Sequence, residues 1–486
     1  MPQLKICLAS SEIFPFAKTG GLADVSGALG KYLAQNDCDV RLVMPFYSSV
    51  DTVKYNFRPL EFARQCELWM GTRKMTYDVY TTNLPDSRAD VYLIHCPSLY
   101  DRGTPYTNDT DEYLRFALLT RAAIELCQRM GWAPDVFHAN DWQTALLPLY
   151  LKTLYQWDQL FAKSKTLLTI HNIGYQGVFP ADIINDIQLA DYYSWFDASE
   201  LYNGTINFLR TGIMHADFIN TVSHTYAREI QSVDFGEGLE GILQQRRQQL
   251  KGIVNGVDYD EWNPEVDPYI PYHFSIRGLS GKEKNKKKLL SQLGLTYNAQ
   301  APVIGMVSRL VEQKGLDLIQ QSIDSVLERY DLRLVILGSG EQRYEEFLFY
   351  LQLRYPKKVV FYKGYNLQLS HLIEAGADMF LMPSRYEPCG LNQIYSLKYG
   401  TIPIVRKTGG LADTVQLYDW EKQSGTGFVF EHYNGESLYW ALEYALTTFT
   451  DKKAWRKLMR NAMRQDYSWE KQVQAYLELY HQIITV

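Results

Sequence analysis

The heptapeptide KTGGLAD stands at Lys18–Asp24 and again at Lys407–Asp413 in a chain of 486 residues. Each copy follows a short β-branched run and opens a stretch of helical periodicity. Around the first, the strand candidate Lys5–Ser10 is followed by Leu22, Val25, Leu29 and Leu33 at helical spacing and then by a second strand candidate, Val40–Pro45. That is a strand, a Gly-Gly turn and a crossover helix, a βαβ unit. Glycines at such a turn permit positive φ and leave backbone N–H groups bare at a helix start, where an anion is favoured. Two such turns, one in each half, predict two α/β lobes of the nucleotide-binding kind facing one cleft.

The rest of the chain repeats the scheme. In the first half the strand candidates continue with Val91–His95, Val136–Ala139, Leu167–His171 and Phe218–Val222; in the second they are Val303–Val307, Leu332–Leu337, Val359–Tyr362, Met379–Met382 and Ile402–Val405. Helix candidates intervene at Leu316–Glu328, Gln342–Leu353, Leu391–Tyr399 and Glu436–Leu446. Alternation of this kind predicts all-parallel, doubly wound sheets, which bind ligands beyond the carboxyl ends of their strands. Asn255–Ser280, with three prolines and an Asn-Gly turn signal, reads as an extended connector and places the domain boundary between about 250 and 280. The expected domains are residues 1–255 and 256–465, with a terminal helix over 466–486 presenting Val473, Tyr476, Leu477 and Tyr480 on one face.

Composition narrows the function classes. Hydrophobic residues at 46% and charged residues at 21% suit a soluble globular protein of two or three domains. A net charge of −6 disfavours a general nucleic-acid binder, whose surface must neutralise phosphates. The basic run Lys282–Lys288 (KEKNKKK) is expected to be a solvated helix start. No apolar run reaches the roughly 18 residues of a membrane span, and MPQLKICLASSEIF enters a strand pattern without a basic leader, so no membrane partner is expected and the cytoplasm is the expected compartment. The six cysteines show no CxxC pair, and reduced thiols are the default.

Four motifs carry chemistry. Gly305–Asp317 (GMVSRLVEQKGLD) sets Arg309 and Lys314 in a loop after a strand, either as a clamp on a diphosphate or as surface cations pairing with Glu312 and Asp317. Pro383–Gln393 (PSRYEPCGLNQ) places Glu387 between a strand end and a helix start, where it could bind sugar hydroxyls, stabilise a cationic anomeric centre or cap the helix. His138–Trp142 (HANDW) and His171–Gly177 (HNIGYQG) each end a first-half strand; with Asp141 and Asn172 they form a polar rim, although either histidine alone could be a satisfied core residue. Asp37-Cys38-Asp39 and Asp258-Tyr259-Asp260 match a DxD metal pattern formally but sit in the wrong contexts, and no GxGxxG opens a helix, so no metal or dinucleotide cofactor is expected.

The conjunction of KTGGLAD, HANDW, HNIGYQG, Thr221–Ile230 (TVSHTYAREI), SRLVEQKGLD, SRYEPCGLNQ and the closing TGGLADTV resembles the bacterial and plastidial glycogen and starch synthases, in the family's order and over nearly the whole chain. The resemblance implies the GT-B architecture, two Rossmann-like parallel-sheet domains facing a cleft, with the terminal helix crossing back onto the first. It also implies metal-independent transfer of glucose, with retention, from ADP-glucose to the non-reducing end of an α-1,4-glucan or malto-oligosaccharide. Carried over, Lys18, Arg309 and Lys314 bind the donor diphosphate, and Gly20, Gly21, Thr408, Gly409 and Gly410 supply backbone amides. Glu387 lies beside the donor glucose, Cys389, Gly390 and Leu391 line its pocket, and Asp24 shapes the cleft. His171 bonds the glucose through its 6-hydroxyl, Asn172 and Asn255 join the donor-binding set, and Asp141 stands on the acceptor side. HANDW departs from the pattern in carrying Asn140 where many relatives have a second histidine. A plastid stroma would replace the cytoplasm had a transit peptide been removed. Rival readings are a sucrose- or trehalose-forming transferase of the same architecture and a non-catalytic glucan-binding protein; the latter predicts loss of Lys18, Arg309, Lys314 or Glu387, and all four are present.

Overall fold

The structure, a computed structural model, describes residues 3–485. It divides into two compact units: the first holds the chain up to Val222, Ala227–Gly256 and the chain from Trp469, and the second holds Ser223–Tyr226 and Val257–Ser468.

In unit 1 the strands are β1 (Lys5–Ala9), β2 (Asp39–Pro45), β3 (Arg58–Pro59), β4 (Cys66–Met70), β5 (Arg73–Asn83), β6 (Asp90–His95), β7 (Val136–Asn140), β8 (Lys165–Ile170), β9 (Val178–Pro180), β10 (Thr205–Asn207), β11 (Phe218–Thr221) and β12 (Leu250–Gly252). The main sheet runs β12-β11-β8-β7-β1-β2-β6-β5-β3, with β4 on β5; β9 and β10 form a separate pair. From β12 to β6 every pairing is parallel. Beyond β6 the sheet turns antiparallel through β5, β3 and β4, which corrects the expectation of an all-parallel sheet. β4 alternates buried and exposed residues because only one of its faces is covered. β7 ends in the HANDW motif and β8 in HNIGYQG, and their pairing sets Asn140 beside Thr169.

The helix Trp469–Thr485 packs into unit 1, burying Trp469, Val473, Tyr476, Leu479, Tyr480 and Ile483; Leu479, not Leu477, completes the face. Its anchor is polar. Thr169 Oγ1 donates to Asn220 Oδ1, so it must accept from His138 Nε2–H (2.5 Å), and Nδ1 then accepts the Tyr480 hydroxyl (2.8 Å). Burial holds His138 down at about 3, which keeps it neutral as this chain of bonds requires. His138 is a core residue.

Unit 2 contains β13 (Val303–Leu310), β14 (Arg333–Gly340), β15 (Val359–Lys363), β16 (Met379–Met382), β17 (Ile402–Arg406) and β18 (Phe428–Phe430) in the order β15-β14-β13-β16-β17-β18, all parallel. Along β14, Leu334 and Ile336 enter one apolar cluster with helices Leu316–Arg329 and Gly435–Thr450, while Val335 and Leu337 enter another with Ser280–Gln292 and Leu367–Gly376. Both faces are buried, which is why these strands read as continuous apolar runs.

Two expectations hold only in part. The Asn255–Ser280 segment is irregular, as expected of a connector, but it is packed into unit 2: Trp262 stacks on His371 (3.8 Å) and Tyr395 (3.9 Å), and buried Asp267 accepts from His371 Nδ1 (2.9 Å) and the Tyr399 hydroxyl (2.6 Å). KEKNKKK does start a helix, with Glu283, Lys284, Lys287 and Lys288 exposed, but it is not solvated throughout. Lys282 donates to Thr401 Oγ1 (2.6 Å) and Lys286 pairs with Asp378 (2.8 Å), both lysines being buried where Ser280–Gln292 packs on Leu367–Gly376. Burial pushes Lys282 down to about 7.

Candidate active site

In unit 2 the loops after β13, β16 and β17 interlock at the carboxyl ends of three neighbouring strands, where a parallel sheet presents ligand-binding residues. Lys314 ends a single 3₁₀ turn, Glu312–Lys314, and its Nζ donates to Glu387 Oε2 at 2.6 Å. Ser384 Oγ donates to the same oxygen at 3.0 Å, and Glu387 is 6% exposed. The loops are further tied by Arg385 N–H to the Gln313 carbonyl (2.9 Å) and by Gln313 Nε2 to the Tyr386 carbonyl (3.2 Å). Glu312 pairs with Arg385 (2.6 Å) and Asp317 accepts from Tyr433 (2.6 Å), so neither neutralises Lys314. The Arg309 side chain is exposed and, among the described residues, makes no hydrogen bond or ion pair.

The second KTGGLAD copy closes this assembly from behind. Gly409 has φ +43°, and a Cβ there would lie 1.9 Å from the Glu387 carbonyl oxygen; one on Gly410 would lie 2.0 Å from that of Cys389. Gly410 N–H donates to the carbonyls of Glu387 and Pro388 (both 3.1 Å), and Thr408 N–H donates to Arg406 (3.0 Å). The expectation of bare amides at Thr408 and Gly410 is therefore corrected, because both are spent on backbone carbonyls. Cys389 is buried; its carbonyl and that of Gly390 accept from Gln393 Nε2 (both 3.0 Å), leaving Leu391 as the residue that leads into helix Asn392–Tyr399.

Unit 1 carries the first copy. Gly20 precedes the helix Gly21–Gln35 with extended backbone, and a Cβ on Gly20 or Gly21 would meet nothing within 4 Å. Neither positive φ nor a crowding neighbour among the described residues requires glycine at these two positions. Lys18 Nζ pairs with Asp24 (2.7 Å) and lies 5.3 Å from the Phe14 ring, while burial raises the Asp24 carboxyl against the pull of that lysine. Beneath the turn sits buried Glu12, accepting from Thr19 N–H, Thr19 Oγ1 (2.7 Å) and Tyr106 O–H (2.5 Å). Sequence reasoning missed Glu12, as it missed Ser384; the one signal for Glu12 was an acid among buried residues between β1 and the turn.

Asp141 and His171 meet at the ends of β7 and β8. Asp141 has φ +54°, a left-handed conformation that Asp tolerates, and its Oδ1 accepts from His171 N–H (2.7 Å) and Asn172 N–H (3.4 Å). Asn172 Oδ1 in turn accepts from Gly174 N–H (3.0 Å). Burial pushes Asp141 up to about 7, opposed by those two amides, and pushes His171 down to about 3. Asn255 is buried, and its Oδ1 has no hydrogen-bond partner among the described residues. Among the described residues no group of three or more His, Cys, Asp and Glu side chains is placed to hold a metal ion, and no helix is long and apolar enough to cross a membrane.

The raised Asp141 carboxyl yields a stability prediction. A folded-state pKa near 7 against an unfolded value near 3.8 means that the native state is favoured fully below 3.8 and loses that contribution as pH rises through 7. Asp141→Asn keeps an acceptor for the two amides without the charge. It is expected to stabilise the fold at pH 8 by on the order of 3 kcal/mol, with the difference vanishing towards pH 4. Thermal unfolding across that range checks this; a variant less stable than wild type at pH 8 would show that the amides hold the carboxylate ionised.

A family profile described as starch synthase catalytic domain matches residues 5–245, and one described as glycosyl transferases group 1 matches residues 295–462. The chain is 44% identical to the glycogen synthase of Thermotoga maritima over 481 residues, covering 98% of each protein. It is 43% identical to that of Desulforudis audaxviator, covering 98% of this chain and 96% of the relative. The solved catalytic domain of starch synthase IV from Arabidopsis thaliana, bound to ADP and acarbose, superposes with a TM-score of 0.91 at 31% identity over the whole of both chains. With its two βα-loop assemblies, its repeated KTGGLAD turns and relatives matched end to end, the chain belongs to the glycogen and starch synthase family of GT-B glycosyltransferases.

Proposed function

We propose that the enzyme transfers glucose from ADP-glucose to the non-reducing end of an α-1,4-glucan with retention at the anomeric carbon. The observation that carries this is the Lys314–Glu387 pair, a cation and a carboxylate held 2.6 Å apart at the end of a parallel sheet. Breaking a glycosyl phosphate bond leaves negative charge on the diphosphate and positive charge on the sugar, so each member of the pair has a partner that grows in the transition state. Arg309, Lys314 and Lys18 hold the diphosphate, with the uncrowded Gly20 and Gly21 letting it approach the helix start. Glu387 faces the glucose, in a pocket lined by Cys389, Gly390 and Leu391. Gly409 and Gly410 act by seating Glu387. His171, fixed by Asp141, bonds the glucose 6-hydroxyl; Asn172 and Asn255 complete the donor set, and Asp141 borders the acceptor.

The adenine nucleotide is supported by the ADP in the Arabidopsis relative. Kinship with bacterial glycogen synthases supports action in the cytoplasm. With cations already at the leaving group, no divalent ion is assigned a role. Radiolabelled ADP-glucose and UDP-glucose, each offered with a malto-oligosaccharide, test the proposal. Incorporation is expected from ADP-glucose and is expected to survive chelator. Incorporation from UDP-glucose alone, or loss with chelator and recovery with Mn²⁺, would overturn the donor or the metal-free assignment respectively.

A further inference from the structure

His171 is held at two places by two consecutive residues. Asp141 takes its backbone N–H at 2.7 Å, and Asn140 Oδ1 lies 2.9 Å from its Nε2. The orientation of the Asn140 amide follows from its other contacts. Nδ2 lies 3.1 Å from the Ala9 carbonyl and 3.4 Å from that of His138, both acceptors, so a reversed amide would set Oδ1 against two carbonyl oxygens. Oδ1 therefore faces His171, and an oxygen that can only accept requires Nε2 to carry the proton. Nδ1 has no partner among the described residues and is not sealed from solvent.

We infer that Asn140 is a positioning residue that fixes His171 as the Nε2–H tautomer and so presents Nδ1 as a hydrogen-bond acceptor, admitting a sugar hydroxyl only as the donor. The inference rests on the placement of His171 against the glucose 6-hydroxyl for its consequence in turnover, but not for the tautomer itself. Burial, which keeps the ring neutral, is what makes the choice of tautomer decisive: an imidazolium would offer no acceptor at all. It also gives the departure in HANDW a purpose. A histidine at position 140 could donate through one nitrogen to the Ala9 carbonyl and accept through the other, so it can serve the same end.

Long-range proton–nitrogen correlation on the ligand-free, nitrogen-labelled protein reads the tautomer directly, the His171 resonances being assigned by their loss in His171→Gln. The expected result is a protonated Nε2 and a bare Nδ1 in wild type, a mixed pattern in Asn140→Ala and restoration in Asn140→His. In turnover, ADP-glucose analogues with the 6-hydroxyl replaced by fluorine or by hydrogen are both expected to lose about three- to tenfold in kcat/KM, since neither can donate. A protonated Nδ1 in wild type, or an unchanged tautomer in a folded Asn140→Ala, overturns the inference. So does a fluoro analogue that clearly outperforms the deoxy one, which would make His171 the donor. If Asn140→Ala does not fold, the wild-type spectrum still decides. Failure of ADP-glucose as donor leaves that spectrum untouched and counts against the proposed function alone.

Discussion

Glu387→Gln is expected to lower kcat by about 10² or more while the donor KM changes little. Glutamine keeps the shape of the side chain and an oxygen that can still accept from Ser384 Oγ and Lys314 Nζ, so the loops after β13 and β16 stay tied. What disappears is the charge. In the wild type that carboxylate is held 2.6 Å from the Lys314 ammonium, which aims it before the sugar develops its own positive character. Steady-state kinetics with saturating acceptor separate the roles. A variant that retains most of kcat and mainly raises the donor KM would make Glu387 a sugar-binding group and remove the electrostatic role proposed for it. Whether the carboxylate attacks the anomeric carbon or stabilises an ion pair is a further distinction, which trapping of a glycosyl-enzyme would draw.

Lys314→Ala is expected to cut kcat/KM by at least tenfold, because it removes a charge that strengthens its contact as the diphosphate leaves and abandons Glu387 to Ser384 alone. Lys18→Ala should fall in the same range. The repeat supplies a matched control, since Lys407 heads the second KTGGLAD and pairs with Glu431 in an exposed ion pair of the kind that contributes little. Lys407→Ala is expected to leave kcat/KM within about twofold of wild type. Wild-type kinetics in Lys314→Ala would reduce that lysine to a structural partner of Glu387, and a Lys407 variant as damaged as Lys18→Ala would show that the two copies share a role.

The repeat also shows how far sequence could carry the structure. Two identical heptapeptides correctly announced two strand-to-helix turns, because hydrophobic periodicity and Gly-Gly punctuation are local properties. They could not announce that Gly409 and Gly410 are there for backbone pressed against them, while Gly20 and Gly21 border empty space. That difference comes from Glu387–Cys389, which is remote in sequence. Five of the six unit 2 strands were legible because their apolar runs sit in a sheet covered on both faces; β18, three residues long, was not. β4 and β5 were not, since one covered face gives only an alternating signal across the hairpin. Lys282 and Lys286 misled for a related reason: charge looks solvated until its partners, Thr401 and Asp378, are brought up by the fold. Lys314 and Glu387 were legible as separate loop residues, but their contact, 73 positions apart, was not.

Unit 1 takes its last helix from beyond Ser468, so a ribosome completes unit 2 before it completes unit 1. Until Tyr480 emerges, His138 Nδ1 and the apolar faces met by Val473, Tyr476 and Ile483 have nothing to cover them. Unit 2 prepares the closure, because Val257 and Ser468 pair in a parallel bridge and its folding brings the two exits of the insertion together. Closing a flexible loop of ~200 residues would otherwise cost on the order of 5 kcal/mol in chain entropy. A nascent chain stalled before the final helix would therefore carry a finished second unit and an unfinished first one, and the exposed seam around His138 is where a chaperone or a protease would find it.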